Sequence, residues 1–251
     1  MTSQAPMTSV ERRRSILYIA IALILAVALG GGLVKVGAGF AARNSNGITV
    51  TGSAKTSATA DNVVWTLNVS LTRQTVAEAV TKVGNDVAAV TKYLTDGGIP
   101  ADALTLGSVS TYANEQWLNG NNTGKILNYR ASRDVVLRTK DVQLVSKLSQ
   151  GIGSIMQQGV TVNNYGPQYY ISTLPALRPK LLESAMKDAK VRAEAITKAV
   201  GGKVGAVQDV KAGVFQVTTP DSTMTQDTGA YDTSSIEKTV TSTVSVTFAV
   251  K

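Results

Sequence analysis

The chain has 251 residues, with 25 Lys and Arg against 17 Asp and Glu, a formal charge of +8, and neither cysteine nor histidine. That composition excludes disulfide frameworks, thiolate nucleophiles, imidazole bases and zinc sites of the usual kind. Residues 1–43 hold five of the basic and one of the acidic side chains, leaving 20 against 16 for the rest; these are scattered rather than blocked, which argues against a nucleic-acid partner.

The first predicted element is a membrane span. Arg12, Arg13 and Arg14 precede Ile16 to Val34, nineteen residues without a charge. As a helix this run is about 28 Å long, close to the hydrocarbon thickness of a bilayer. The positive-inside rule puts the N-terminus in the cytoplasm and everything after Arg43 outside it, in the periplasm or beyond the cell. The expected division is a cytoplasmic tail at 1–15, a transmembrane anchor at 16–36, a linker at 37–46 and an outer domain at 47–251. The competing reading is a signal peptide cut near Gly39-Phe40-Ala41, which would release a soluble form. The apolar run exceeds the roughly 7–15 residues of a signal-peptide core, so the anchor is preferred.

The outer domain opens with strands at Ile48–Lys55 and Val63–Leu71, joined by a turn at Asp61-Asn62. In the second, Trp65, Leu67, Val69 and Leu71 alternate with polar residues, the period of a half-buried strand. From Thr75 the period changes: Val76, Val80, Val83, Val87, Val90 and Leu94 line one face of a helix, which Gly97-Gly98 stops. A strand is predicted over Leu104–Gln116, then a polar, flexible loop over Trp117–Lys125, then a strand over Ile126–Thr139. Together these form a long hairpin with a projecting tip. Asp141 caps a helix reaching Met156.

A strand follows at Val160–Ser172, and Pro175 and Pro179 mark a loop, with Pro179 in the first turn of the next helix. That helix, Lys180–Val200, turns Leu182, Ala185, Ala189, Ile196 and Val200 inward and is closed by Gly201-Gly202. Glu183 and Lys187 stand i,i+4 on it. Next come a strand over Val204–Val217, a mobile polar loop over Thr218–Thr239, and a closing strand over Val240–Val250. Hairpins mixed with single crossover helices predict an α+β domain of antiparallel-rich sheets with three helices.

Four stretches resemble the SIMPL-domain family of exported bacterial proteins, which includes periplasmic immunogenic proteins. They are ITVTGSAKTSATAD, Tyr129-Arg130-Ala131 entering VVLRTKDV, ALRPKLLESAMKDAKVRAEAITKAVGGKVG, and VTSTVSVTFAV. The resemblance covers nearly all of residues 47–251. It implies a two-subdomain fold and assembly into large ring- or barrel-like oligomers. It also implies scaffold, channel-like or stress-related roles at the envelope, and it carries over no catalytic residues. The long N-terminal segment departs from the commonest secreted form.

No constellation with catalytic spacing stands out, and no cofactor or metal is expected. Gly151-Ile152-Gly153-Ser154 follows a helical pattern and lacks the third glycine of a phosphate loop. Without histidine a serine nucleophile needs lysine, and Ser184 with Lys187 is a mid-helix surface pair. Glu115, Asp134 and Asp141 are the available acids for glycan hydrolysis; solvated strand-end acids are the plainer reading. Tyr165, Tyr169, Tyr170 and Trp117 are candidates for a carbohydrate- or partner-binding surface, against core packing. Asn68-Val69-Ser70 and Asn121-Asn122-Thr123 match the glycosylation pattern, which matters only in a secreted eukaryotic setting. The expected function is therefore non-enzymatic: a membrane-anchored domain whose partners are further copies of itself, the membrane and envelope components. The alternative is a monomeric or dimeric module binding envelope glycans or exported proteins.

Overall fold

The computed structural model describes residues 47–223 and 228–251; the expected anchor, with its tail and linker, lies outside the described residues. In chain order the elements are β1 (Gly47–Thr59), β2 (Asn62–Arg73), α1 (Val76–Asp96), β3 (Leu104–Leu106), β4 (Ser110–Leu118), β5 (Asn121–Thr139), α2 (Val142–Gly151), α3 (Gly153–Gln157), β6 (Asn163–Asn164), β7 (Gln168–Tyr170), α4 (Leu174–Ala199), β8 (Val204–Ala212), β9 (Gln216–Thr218) and β10 (Glu237–Val250). The class is α+β with three helical regions, the middle one broken at Ile152 into α2 and α3. One sheet has the order β3-β5-β2-β6, with β4 also on β5 and β7 also on β2; the other has β10 between β1 and β8, with β9 also on β10.

The described chain divides into two compact units. The larger comprises residues 51–191 and 211–245. Its core is built on β2, whose Val63, Trp65, Leu67 and Val69 are fully buried. The antiparallel register sets Trp65 opposite Leu137 and Leu67 opposite Val135, so both strands present one continuous apolar face. Ala79, Val83, Val87, Val90 and Leu94 of α1 cover that face. Burying each such valine or leucine stabilises by about 1.5–3 kcal/mol, which offsets the modest helix propensity of valine. Thr75 and Glu78 form a reciprocal capping box at the start of α1. Asp86, buried on the same helix, accepts from Lys82 and from the Thr161 backbone N–H at 3.1 Å, tying α1 to the chain after α3.

A second core in this unit joins Ile171, Leu174, Leu181, Val217 and Val240. Here α4 lies on β1 without room for a side chain between them. A Cβ at Gly52 would stand 2.1 Å from the Ala185 carbonyl oxygen and 2.5 Å from the Ala189 nitrogen. The Ser53 N–H donates to Asp188 Oδ2 at 2.8 Å beside this contact. The smaller unit holds residues 192–210 and 246–251 with the described start of β1. Within it Ala193, Thr197, Val246 and Phe248 are buried, and Lys203 and Lys251 exchange backbone hydrogen bonds.

Several expectations need correction. The strands joined at Asp61-Asn62 enter different sheets, and Asp61 instead accepts from the Ser172 N–H and hydroxyl. Val76 begins α1 but is exposed. The strand expected over Leu104–Gln116 is broken into β3 and β4. The one expected over Val160–Ser172 survives only as β6 and β7, interrupted at Gly166 with φ +83°. Helix α4 starts six residues before Lys180, with Pro175 in its first turn and Pro179 inside it. Its buried positions are Leu174, Leu181, Ala185, Ala189, Ala193 and Thr197, whereas Ile196 and Val200 face solvent. At Ala185 and Ala189 small residues turn inward because the backbone of β1 at Gly52 comes so close.

The polar stretch expected as a mobile loop over Thr218–Thr239 is built into the larger unit in its described part. Val217 and Tyr231 form a bridge, and Lys238, with its side chain fully buried, donates to Asp232 Oδ2 at 3.1 Å and to the Asp232 carbonyl at 2.6 Å.

Candidate interaction surface

The outstanding surface feature is the β4–β5 hairpin. Strand β2 pairs with β5 only from Tyr129 to Thr139, while β4 pairs with β5 out to Leu118↔Asn121. Among the described residues, 121–128 of β5 therefore have β4 as a neighbour on one side and no paired strand on the other. The result is a two-stranded ribbon extending about 20 Å past the sheet. Its end is a two-residue turn in which Asn119 has φ +50° and Gly120 φ +81°, the left-handed pair of a type I′ hairpin. The flexible loop expected over Trp117–Lys125 is thus strand and tight turn. Its glycine-rich composition reflects an irregular register near Glu115, where Gly124 has φ +74° and donates to Asn122 Oδ1 at 2.8 Å.

The ribbon is apolar where it is most exposed. Trp117 is 63% exposed, and Leu118, Ile126 and Leu127 are exposed beside it; Tyr112, 68% exposed, stands at the ribbon's base opposite Arg130. An isolated two-stranded ribbon is marginally stable in water, and unpaired strand edges carry rows of unsatisfied N–H and C=O groups. Large apolar side chains exposed in such a place make the ribbon a candidate interaction surface.

The other candidate residues are scattered. Glu115 stands opposite Ile126 and accepts from the Asn122 amide; Asp134, eight residues further along β5, accepts from Asn68 Nδ2 at 2.6 Å. That places the two about 25 Å apart, far beyond the roughly 5–9.5 Å that glycan hydrolysis requires. Asp141 accepts from the Leu144 N–H as the cap of α2. Lys187 is paired with Glu183 at 2.6 Å, which lowers the Glu183 pKa, and Ser184 is exposed next to it. Gly151 to Ser154 span the break between α2 and α3, where the Ser154 hydroxyl donates to the Gly151 carbonyl.

The aromatic candidates separate too. Tyr169 is in the core, Tyr170 stacks at 6.0 Å on Tyr231, Tyr165 is exposed between β6 and β7, and Trp117 is on the ribbon. Asn68 is engaged with Asp134 and Asn163 inside the sheet, while Asn121 is exposed at the hairpin end. Among the described residues no group of three or more Asp or Glu is placed to hold a metal ion.

The most strongly perturbed ionisable group is structural. Burial pushes the Asp232 carboxyl up, but hydrogen bonds from Ser235, Ser234 and Lys238 outweigh it and hold the group well below the usual carboxylate range. Asp61 is held below its ordinary value by the hydroxyl and N–H of Ser172. A hydroxyl-lined cavity of about 210 Å³ is bordered by Lys55, Gln216, Thr218, Asp221, Thr239 and Thr241.

Fold and surface define an α+β domain with an apolar arm, its acids spread along strands and caps. A family model matches residues 48–248, and the chain belongs to that family: SIMPL, a protein of unknown function (DUF541). A search of curated proteins gave no match to the chain.

Proposed function

We propose that this chain is a single-pass membrane protein, N-terminus inside, whose outer domain self-assembles into a ring- or cage-like oligomer at the envelope. The role is non-enzymatic: scaffold, channel-like passage or stress protection. The observation that carries the reading is the ribbon of Trp117, Leu118, Ile126 and Leu127, exposed and, among the described residues, with both outer strand edges unpaired. A surface of that kind is costly to keep uncovered. Resemblance within the family supports a further copy of the chain as the partner. Support for the anchor comes from the sequence: Arg12–Arg14 before an uncharged run of bilayer length. Cysteine labelling tests topology cleanly, because the chain has no cysteine. In intact cells, a cysteine replacing Ser3 should be shielded from an impermeant maleimide and one replacing Tyr165 labelled; the reverse pattern, or both labelled, would overturn the anchor.

A binding module for envelope glycans or exported proteins is the second reading. The cavity bordered by Lys55, Thr218, Asp221, Thr239 and Thr241 favours it, since hydroxyls with one cation and one carboxylate suit a polar, hydroxylated ligand. Light scattering on full-length, detergent-extracted chain separates the two. Many chains per particle support assembly, and a mass of one or two chains supports the module.

A further inference from the structure

A groove of about 460 Å³ runs between α1 and β3 on the larger unit, bordered by Gly84, Ala88, Thr91, Leu106 and Arg133. Three observations single it out. Gly84 is in the interior of α1, where glycine costs about 1 kcal/mol relative to alanine, yet a Cβ built there meets nothing within 4 Å. Nothing among the described residues requires a glycine at this position. The Oγ1 of Thr91 is buried and has no hydrogen-bond partner, which is costly for a hydroxyl. Finally, Leu106 is exposed on the groove's edge, and Arg133 is held there by its Nε–H donating to the Gly107 carbonyl at 2.8 Å.

Resting on the assembly reading, we infer that this groove receives Trp117 and Leu118 from the ribbon of a second copy, making a head-to-tail contact. The chain cannot supply the occupant to itself. Trp117 pairs with Asn122, and Arg133 lies eleven positions further along β5. Along a strand that is on the order of 30 Å, so each chain's knob is held away from its own groove.

The chemistry matches on two counts. An indole fits where a glycine and an alanine leave the helix surface bare. Its face takes the Arg133 guanidinium. Charges agree as well: the ribbon carries Glu115 and Lys125, and the groove carries Arg133 with the Lys92–Asp96 pair. Because knob and groove are different surfaces, every copy keeps one of each free for the next. A heterologous contact of this kind generates a ring when the rotation closes.

The test co-expresses two differently tagged full-length variants, Ala88→Cys and Leu118→Cys, both at exposed positions, and treats the extracted protein with a short bismaleimide. The expected product is the mixed cross-link between the two tags, without either homodimer. Homodimers alone would overturn the head-to-tail geometry. An assembled protein giving no mixed product would overturn the knob-and-groove contact and leave the assembly reading standing. A wild-type mass of one or two chains would overturn both.

A second arm uses Gly84. Gly84→Ala should raise the melting temperature, while Gly84→Leu should weaken association about thirtyfold or more without lowering it. Trp117→Ala should weaken association to a similar degree. If Gly84→Leu assembles as well as wild type, the groove is not the acceptor.

Discussion

The contact between β1 and α4 makes the sharpest stability prediction. At Gly52 a methyl group would be placed 2.1 Å from the Ala185 carbonyl oxygen, 2.5 Å from the Ala189 nitrogen and 2.7 Å from the Ala189 Cβ. Two of these three atoms are helix backbone, so no rotamer change relieves them. Accommodating the methyl requires α4 to move off the strand by an ångström or more. That loosens the burial of Leu181, Ala185 and Ala189 and stretches the Ser53–Asp188 hydrogen bond. Overpacking of a tight core costs about 1–3 kcal/mol, and loss of a hydrogen bond to a charged acceptor adds about 1.5 kcal/mol or more. The expected destabilisation of Gly52→Ala is therefore about 3 kcal/mol, or a fall in melting temperature of about 6–12 °C for a domain of this size. Urea unfolding of the outer domain followed by circular dichroism measures it. The double variant Gly52→Ala, Ala189→Gly should stay destabilised, because it removes only the Cβ of the three contacts. A loss below about 1 kcal/mol, or full rescue by Ala189→Gly, would show that helix and strand are not in backbone contact.

Other consequences follow from the same geometry. Asp232→Ala strands the fully buried Lys238 ammonium without its carboxylate and should cost about 3–5 kcal/mol, whereas Lys238→Met should cost much less; thermal melts of both variants decide this. The Asp232 carboxyl is held below its unfolded value, near 3.9, so the unfolded state binds the extra proton. Its contribution is complete above about pH 5 and fades as pH falls toward the folded value. An acid titration of stability should accordingly be flatter in Asp232→Asn than in wild type. Asp141→Ala removes the cap of α2 and should cost about 1 kcal/mol in urea. Gly120→Val forces a branched side chain into φ +81° at the hairpin end; it should reduce particle mass in light scattering while changing the domain's melting temperature by no more than a few degrees.

The legible parts of the fold were those fixed by local periodicity. Strand β2 and the closing strand alternate, and α1 carries its valines at helical spacing; the structure buries Trp65, Val83, Val90 and Val246 accordingly. Long-range contact decided the rest. The inward face of α4 at Ala185 and Ala189 is set by Gly52, more than a hundred residues away; a reading by hydrophobicity alone turns Ile196 and Val200 inward and misses Ala193 and Thr197. The segment after Gly159 looks like one strand, but Trp65 Nε1 donates to Asn164 Oδ1 at 2.9 Å and Gly166 turns the chain, leaving two short pieces. Lys238 is in phase with Val240 and Val244, a pattern that puts it inside; its partner Asp232 was masked by a polar surrounding. On the candidate surface, Asn119-Gly120 is itself a strong hairpin signal, obscured by the asparagines and glycines on either side. Nothing in the spacing of Gly84 and Thr91 indicated a groove, because that depends on where β3 runs.

The central claim is self-assembly through the exposed ribbon, and the mass of the full-length chain extracted in mild detergent tests it most directly. Light scattering with the detergent contribution subtracted should give a particle of many chains, falling toward a single chain when Trp117 and Leu118 are both replaced by serine. A wild-type mass of one or two chains, or an assembly unchanged by that double replacement, would contradict the account.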